Sequence, residues 1–75
     1  MLILNKLGDT IINMDNVETI KACSMFSTTP NVIVETTSDI KVLGDYSSDY
    51  RCTEILQEIM KKAELGVNCF YMPEK

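Results

Sequence analysis

From Ser47 to Gly66 the chain returns apolar side chains at intervals of three and four residues, at Cys52, Ile55, Leu56, Ile59, Met60 and Ala63. That spacing predicts one amphipathic helix of about four turns with a single apolar stripe. Ser47 or Ser48 is the expected N-cap, because either hydroxyl accepts an orphan N–H of the first turn. Asp49 suits the positive end of the helix dipole and Lys61 and Lys62 the negative end. Glu58 and Lys62 stand in the favourable order for a pair four residues apart, and Gly66 is the expected C′ residue. A one-sided helix must cover something, and the rest of the chain carries the periodicity of strands. An α+β domain follows.

The strand signals are short. "LIL" at 2–4 ends in the turn-prone "NKLGD", and "TIIN" at 10–13 resumes an extended pattern before a second turn at "MDN". Residues 17–26 read as a strand on their Thr, Ile and Phe content, with a short helix over 17–22 as the alternative. "STTPN" at 27–31 reads as a hairpin loop, with Pro30 keeping Thr29 out of α geometry. "VIVETT" at 32–37 is the clearest strand. Alternation places Val32, Val34 and Thr36 on one face and Ile33 and Glu35 on the other. "IKVL" at 40–43 pairs back as a hairpin closed by Gly44, and Tyr46 is placed to fold over the first helical turn. After the helix, "VNCFYMPEK" returns to the body as a strand at a sheet edge, stopped by Pro73, which lacks an N–H. The expected architecture is an antiparallel sheet of four or five short strands. One C-terminal amphipathic helix packs on its face, followed by a short extended tail. With 75 residues and no linker or repeat, residues 1–75 form a single small domain.

Chemistry is sparse. The chain has no His, so Ser-His-Asp, Cys-His and HExxH arrangements are impossible within one chain. Cys23, Cys52 and Cys69 are odd in number, widely spaced and without CxxC, which fits neither a disulfide framework nor a zinc or iron–sulfur site. Cys23 and Cys52 read as core residues, whereas Cys69, beside two aromatics, is the cysteine expected to be partly exposed or at an interface. Asp45 and Asp49 are the nearest carboxylate pair, better explained by turn and dipole roles. Gly8, Gly44 and Gly66 are isolated, so neither a Walker loop nor a dinucleotide fingerprint is present. No catalytic residue, metal ligand or cofactor is therefore expected. Eleven acidic against seven basic residues give a net charge of −4, which disfavours nucleic acid and anionic membranes as general partners. With no signal-peptide pattern and no span of about 18 apolar residues, a cytoplasmic location is the default expectation.

Apolar side chains at both ends exceed what one small sheet-plus-helix core needs. Leu2, Leu4, Ile33, Phe70, Tyr71 and Met72 are the candidate interface, suited to self-association or to a protein partner at an edge strand. The leading expectation is a non-enzymatic accessory protein acting through protein–protein contact, with itself or with a host or phage protein. One alternative is a nucleic-acid-binding regulator, which requires Lys6, Lys21, Lys41, Arg51, Lys61 and Lys62 to gather on one face. The other is an enzyme or metal site assembled from carboxylates and cysteines between subunits.

The order of these signals resembles a family of small uncharacterised proteins from phages and prophages of Gram-positive bacteria. The resemblance rests on "LGDYSS", with Leu43, Gly44, Tyr46, Ser47 and Ser48, leading into a charged amphipathic helix. It rests also on the closing "FYMP" of Phe70, Tyr71, Met72 and Pro73. Similarity extends over nearly the whole chain, although family helices begin with more charged residues than Tyr50 and Cys52 supply here. It implies a phage or prophage origin and a strands-then-helix order, and it assigns no catalytic or binding residue.

Overall fold

The computed structural model describes residues 1–23 and 29–75. Its strands number six and divide between two three-stranded sheets. The strands are β1 (Leu2–Leu4), β2 (Ile11–Asn13), β3 (Thr19–Cys23), β4 (Asn31–Glu35), β5 (Ile40–Asp45) and β6 (Cys69–Tyr71), with the helix α1 (Asp49–Glu64) before the last. The first sheet has the order β2-β1-β6 and the second the order β3-β4-β5.

The second sheet is an antiparallel meander of β3, β4 and β5; the short connections favour a meander of the second, third and fourth strands, but β2 pairs with β1 in the other sheet, and the meander is made one strand later. Of the strand foreseen over 17–26, Thr19–Cys23 is extended, Met14–Asn16 before it form a 3-10 turn, and 24–26 lie outside the described residues. The loop at 27–31 is described only from Thr29, and Asn31 already belongs to β4. A bulge at Leu43 interrupts the β4–β5 register, because Val32 pairs with Gly44 while Ile33 pairs with Val42. The bulge allows Leu43 and Tyr46 both to be buried in the core cluster.

In the first sheet β1 runs antiparallel to β2 and parallel to β6. The β1–β2 turn is held by Asn5, whose Oδ1 accepts from the main-chain N–H groups of Gly8, Asp9 and Thr10. Gly8 adopts φ +83, the left-handed conformation that such a turn requires. Lys6 N–H donates to the Leu43 carbonyl at 2.8 Å and so ties the first sheet to the rim of the second. That approach is close: a Cβ on the buried Gly44 would lie 2.7 Å from Lys6 Cβ and 3.1 Å from the Tyr46 ring.

Helix α1 begins where its cap chemistry directs. Ser48 is extended and its Oγ accepts from Arg51 N–H at 3.1 Å. Gly66, at φ +75, follows the helix with its N–H on the Ala63 carbonyl. The helix lies across β3 and β4. Its stripe is narrower than the spacing predicts: Cys52, Ile55 and Ile59 are buried, Leu56 is half-buried, and Met60 and Ala63 face solvent. On the polar side Arg51 reaches both Glu54 and Glu58, at 3.5 and 3.4 Å. The core joins Cys52, Ile55 and Ile59 to Val32, Val34, Leu43 and Tyr46 of the second sheet and its exit, and to Ile3, Phe70 and Met72 of the first. Each fully buried isoleucine contributes about 1.5–3 kcal/mol relative to exposure.

Candidate interaction face

The structure separates the six residues expected at an interface. Ile33 is completely buried in the middle of β4 and reaches no surface. Phe70 and Met72 are also buried and belong to the core cluster. Leu2, Leu4 and Tyr71 point the opposite way. In β6 the pattern is exposed–buried–exposed, as the two-residue period of a strand requires when one face covers a core. A patch made of all of 70–72 is thus excluded by geometry, since neighbouring residues take opposite faces.

The outward residues of the three strands form two cross-strand rows. Leu4 stands opposite both Ile11 and Tyr71, and Leu2 stands opposite both Asn13 and Cys69. Ile3, Ile12 and Phe70 lie between them on the inner face. The result is an apolar outer face with a shallow groove of about 210 Å³ lined by Leu2, Leu4, Ile11, Cys69, Phe70 and Tyr71. Ile11 is 64% exposed and Tyr71 72%, so the exposed surface is carried by large side chains and no charged group lines the groove. Ile11 and Cys69 complete the face beyond the expected set. The signal for Ile11 is its position beside Ile12: two consecutive apolar residues in a strand cannot share a face. Cys69 is exposed, as its aromatic surroundings suggest.

Elsewhere most of the polar groups that could serve a site are engaged with other groups of the chain. Two wider hollows, of about 400 and 430 Å³, flank Lys6 and Asp45 beside the β1–β2 turn and the C-terminal residues. Lys6 Nζ donates to the Asp45 carbonyl and sits 4.6 Å from the centroid of the Tyr46 ring. The Tyr46 hydroxyl donates to the Pro73 carbonyl at 2.8 Å, and burial pushes its pKa up to about 12. Cys52 is buried on the helix stripe; burial, aided by the negative charges of Asp49 and Asp45, pushes its thiol pKa up, which keeps it protonated and unreactive. Lys21 pairs with Glu35 at 3.0 Å. Among the described residues no three His, Cys, Asp or Glu side chains converge as a metal site. No helix is long and apolar enough to cross a membrane.

Comparison with protein-family models, curated proteins and solved structures yields no match for this chain.

Proposed function

We propose that this chain is a non-catalytic accessory protein that binds another protein through the outer face of the β2-β1-β6 sheet. The observation that carries the reading is the register that aligns Ile11, Leu4 and Tyr71 in one outward row and sets Leu2 and Cys69 in the next. A strand face in water normally alternates to polar residues on its solvent side. Here the solvent side holds Leu, Ile, Tyr and Cys, with Asn13 as its one polar member and no Lys or Glu among them, close to the composition of an interface core. The resemblance to small phage and prophage proteins of Gram-positive bacteria supports an accessory role in that setting, with a host or phage protein as partner.

Cations give less support to a nucleic-acid role. Arg51 and Lys21 are paired with carboxylates of their own chain, and Lys6 is tied to the Asp45 carbonyl. Affinity capture from infected or lysogenic cells tests the reading when the native chain is compared with Ile11→Asp. Ile11 is exposed and lies in the outer row, so the substitution leaves the core intact while placing a charge in the face. Expected is a protein retained by the native chain and lost with Ile11→Asp. Identical capture by both, or retardation of DNA or RNA at low salt in place of protein capture, overturns the reading.

A further inference from the structure

The free side of β6 offers a second, distinct surface, set by main-chain hydrogen bonding. Leu2 N–H donates to the Asn68 carbonyl and Met72 N–H to the Leu4 carbonyl. With the parallel register Ile3 to Phe70, these bonds fix the phase of the strand. Asn68, Phe70 and Met72 direct their N–H and C=O groups to β1, and Cys69 and Tyr71 direct theirs to the other side. Among the described residues β6 has no strand neighbour but β1. Both residues are exposed, so the main-chain groups of Cys69 and Tyr71 form an open sheet edge.

Apart from its shortness, three residues, this edge lacks the devices that usually keep edges apart. The strand contains no charge, no Pro and no bulge, and its nearest charged neighbours in sequence are Glu64 and Glu74. It is also self-complementary. Placed antiparallel to itself about a two-fold axis at Phe70, the strand sets Cys69 opposite Tyr71 of the second copy and Tyr71 opposite Cys69 of the second copy. Each such couple is of the hydrogen-bonded kind and exchanges both of its N–H···O bonds. We propose that a second copy of this chain pairs here, β6 to β6, joining the two first sheets into one continuous sheet of twice the width. The side chains agree with this register: Tyr71, 72% exposed, comes to lie over Cys69 of the second copy, in the same cross-strand row as that copy's Leu2.

Area sets the strength. A stable dimer buries about 800 Å² on each partner, about a sixth of this chain's 4950 Å². A three-residue strand and one exposed tyrosine supply only part of that. The pairing is accordingly weak, with a dissociation constant on the order of 10–100 µM. It also sets two outer faces side by side, so a partner with two binding segments gains avidity from a dimer. The partner-binding face and the pairing edge rest on separate observations, and different variants report on them.

Sedimentation velocity from well below to well above that concentration, on the native chain and two variants, is the test. Cys69→Pro removes an outward N–H while sparing every bond to β1, at the first residue of a strand where proline is tolerated. It is expected to raise the dissociation constant at least tenfold. Ile11→Asp lies on the far strand and is expected to leave dimerisation unchanged, while abolishing capture of a protein partner. A gain-of-function arm covers any misfolding of the proline variant. Tyr71→Cys sets a thiol opposite Cys69 of the second copy, with Cα atoms about 5.5 Å apart, within disulfide reach. Mild oxidation should then give a covalent dimer whose bridge maps between residues 69 and 71. In the native chain the two Cys69 lie on a diagonal about 7–8 Å apart and stay unbridged. A monomer at every concentration, a dimer indifferent to Cys69→Pro, a dimer lost with Ile11→Asp, or no bridge in the Tyr71→Cys variant each overturns β6 pairing. Loss of capture with Ile11→Asp in a chain that stays monomeric would leave the partner-binding face standing alone.

Discussion

Replacing Tyr46 by Phe separates a hydrogen bond from the packing around it and predicts a pH signature set by the burial of its hydroxyl. Tyr46 is 4% exposed, and its hydroxyl donates to the Pro73 carbonyl at 2.8 Å, pinning the C-terminal segment over the helix start. Phe keeps the ring in the core and beneath Lys6, so the loss near neutral pH is that of one partly buried hydrogen bond, about 0.5–1.5 kcal/mol. The phenol's pKa is raised by burial to about 12 from an ordinary 10.0. A group whose folded pKa is raised lends stability that is complete below the unfolded pKa and is lost as pH climbs through the folded one. The window therefore runs from pH 10 to 12. Near pH 11 the unfolded phenol is ionised and the folded one is still neutral, a difference of about 1 kcal/mol against folding after discounting for residual solvent at the ring edge. The native chain alone suffers this loss. Urea unfolding of both proteins should show Tyr46→Phe less stable by about 1 kcal/mol at pH 7, with the deficit shrinking to nothing near pH 11. Tyr50 and Tyr71 are exposed and common to both proteins, so the comparison isolates Tyr46. Parallel stability curves, with a constant deficit from pH 7 to 11, would refute the claim that burial of this hydroxyl sets its ionisation.

Other substitutions probe the frame. Gly44→Ala forces a methyl into 2.7 Å contact with Lys6 Cβ and should cost about 1–3 kcal/mol in urea unfolding, whereas Gly-to-Ala at an uncrowded strand site stabilises. Asn31 is completely buried with neither amide atom hydrogen-bonded. Asn31→Leu, of similar size, should therefore raise the thermal midpoint, by an amount equivalent to about 1–3 kcal/mol; a lowered midpoint would mean the amide is satisfied. Under native conditions a maleimide should label Cys69 within minutes and Cys52 only after unfolding, since Cys69 is exposed and Cys52 is buried with a raised thiol pKa. Equal labelling rates would contradict the placement of α1.

What could be read from the chain follows from how far each signal reaches. The cap at Ser48, the dipole charges and Gly66 are local and act within one turn, so the ends of α1 are visible in the sequence. Its stripe is visible too, but its width depends on what lies beneath: the helix rests on β3 and β4, and Met60 and Ala63 overhang them. The α+β class is likewise legible. Division of the strands into two sheets is a different matter, because "LIL", "IIN" and "CFY" are each three residues long and nothing within them specifies a partner. Pairing is decided by tertiary contacts, including the tie from Lys6 to Leu43 that fixes the first sheet against the second. Alternation in "VIVE" correctly sets Ile33 apart from Val32 and Val34, yet alternation reports only that two faces exist. Whether the second is covered depends on the rest of the fold, and Ile33 is covered.

The same two-residue period explains why the outer face and the open edge meet in one strand. Along a β-strand the side chains alternate between faces and the main-chain groups alternate between edges, with a common period. Phe70 has its side chain in the core and its N–H and C=O on β1; Cys69 and Tyr71 therefore have side chains toward solvent and main-chain groups toward the free edge. All binding capacity of β6 is thereby concentrated in two residues. A slip of one residue against β1 would reverse both assignments at once, exposing Phe70 and burying Tyr71. The eight-per-cent exposure of Phe70 and the bond from Met72 N–H to the Leu4 carbonyl hold the strand in the phase where that does not happen. Phe70→Ser would weaken that hold by removing the buried anchor beneath the groove, and it should reduce partner binding and β6 pairing together.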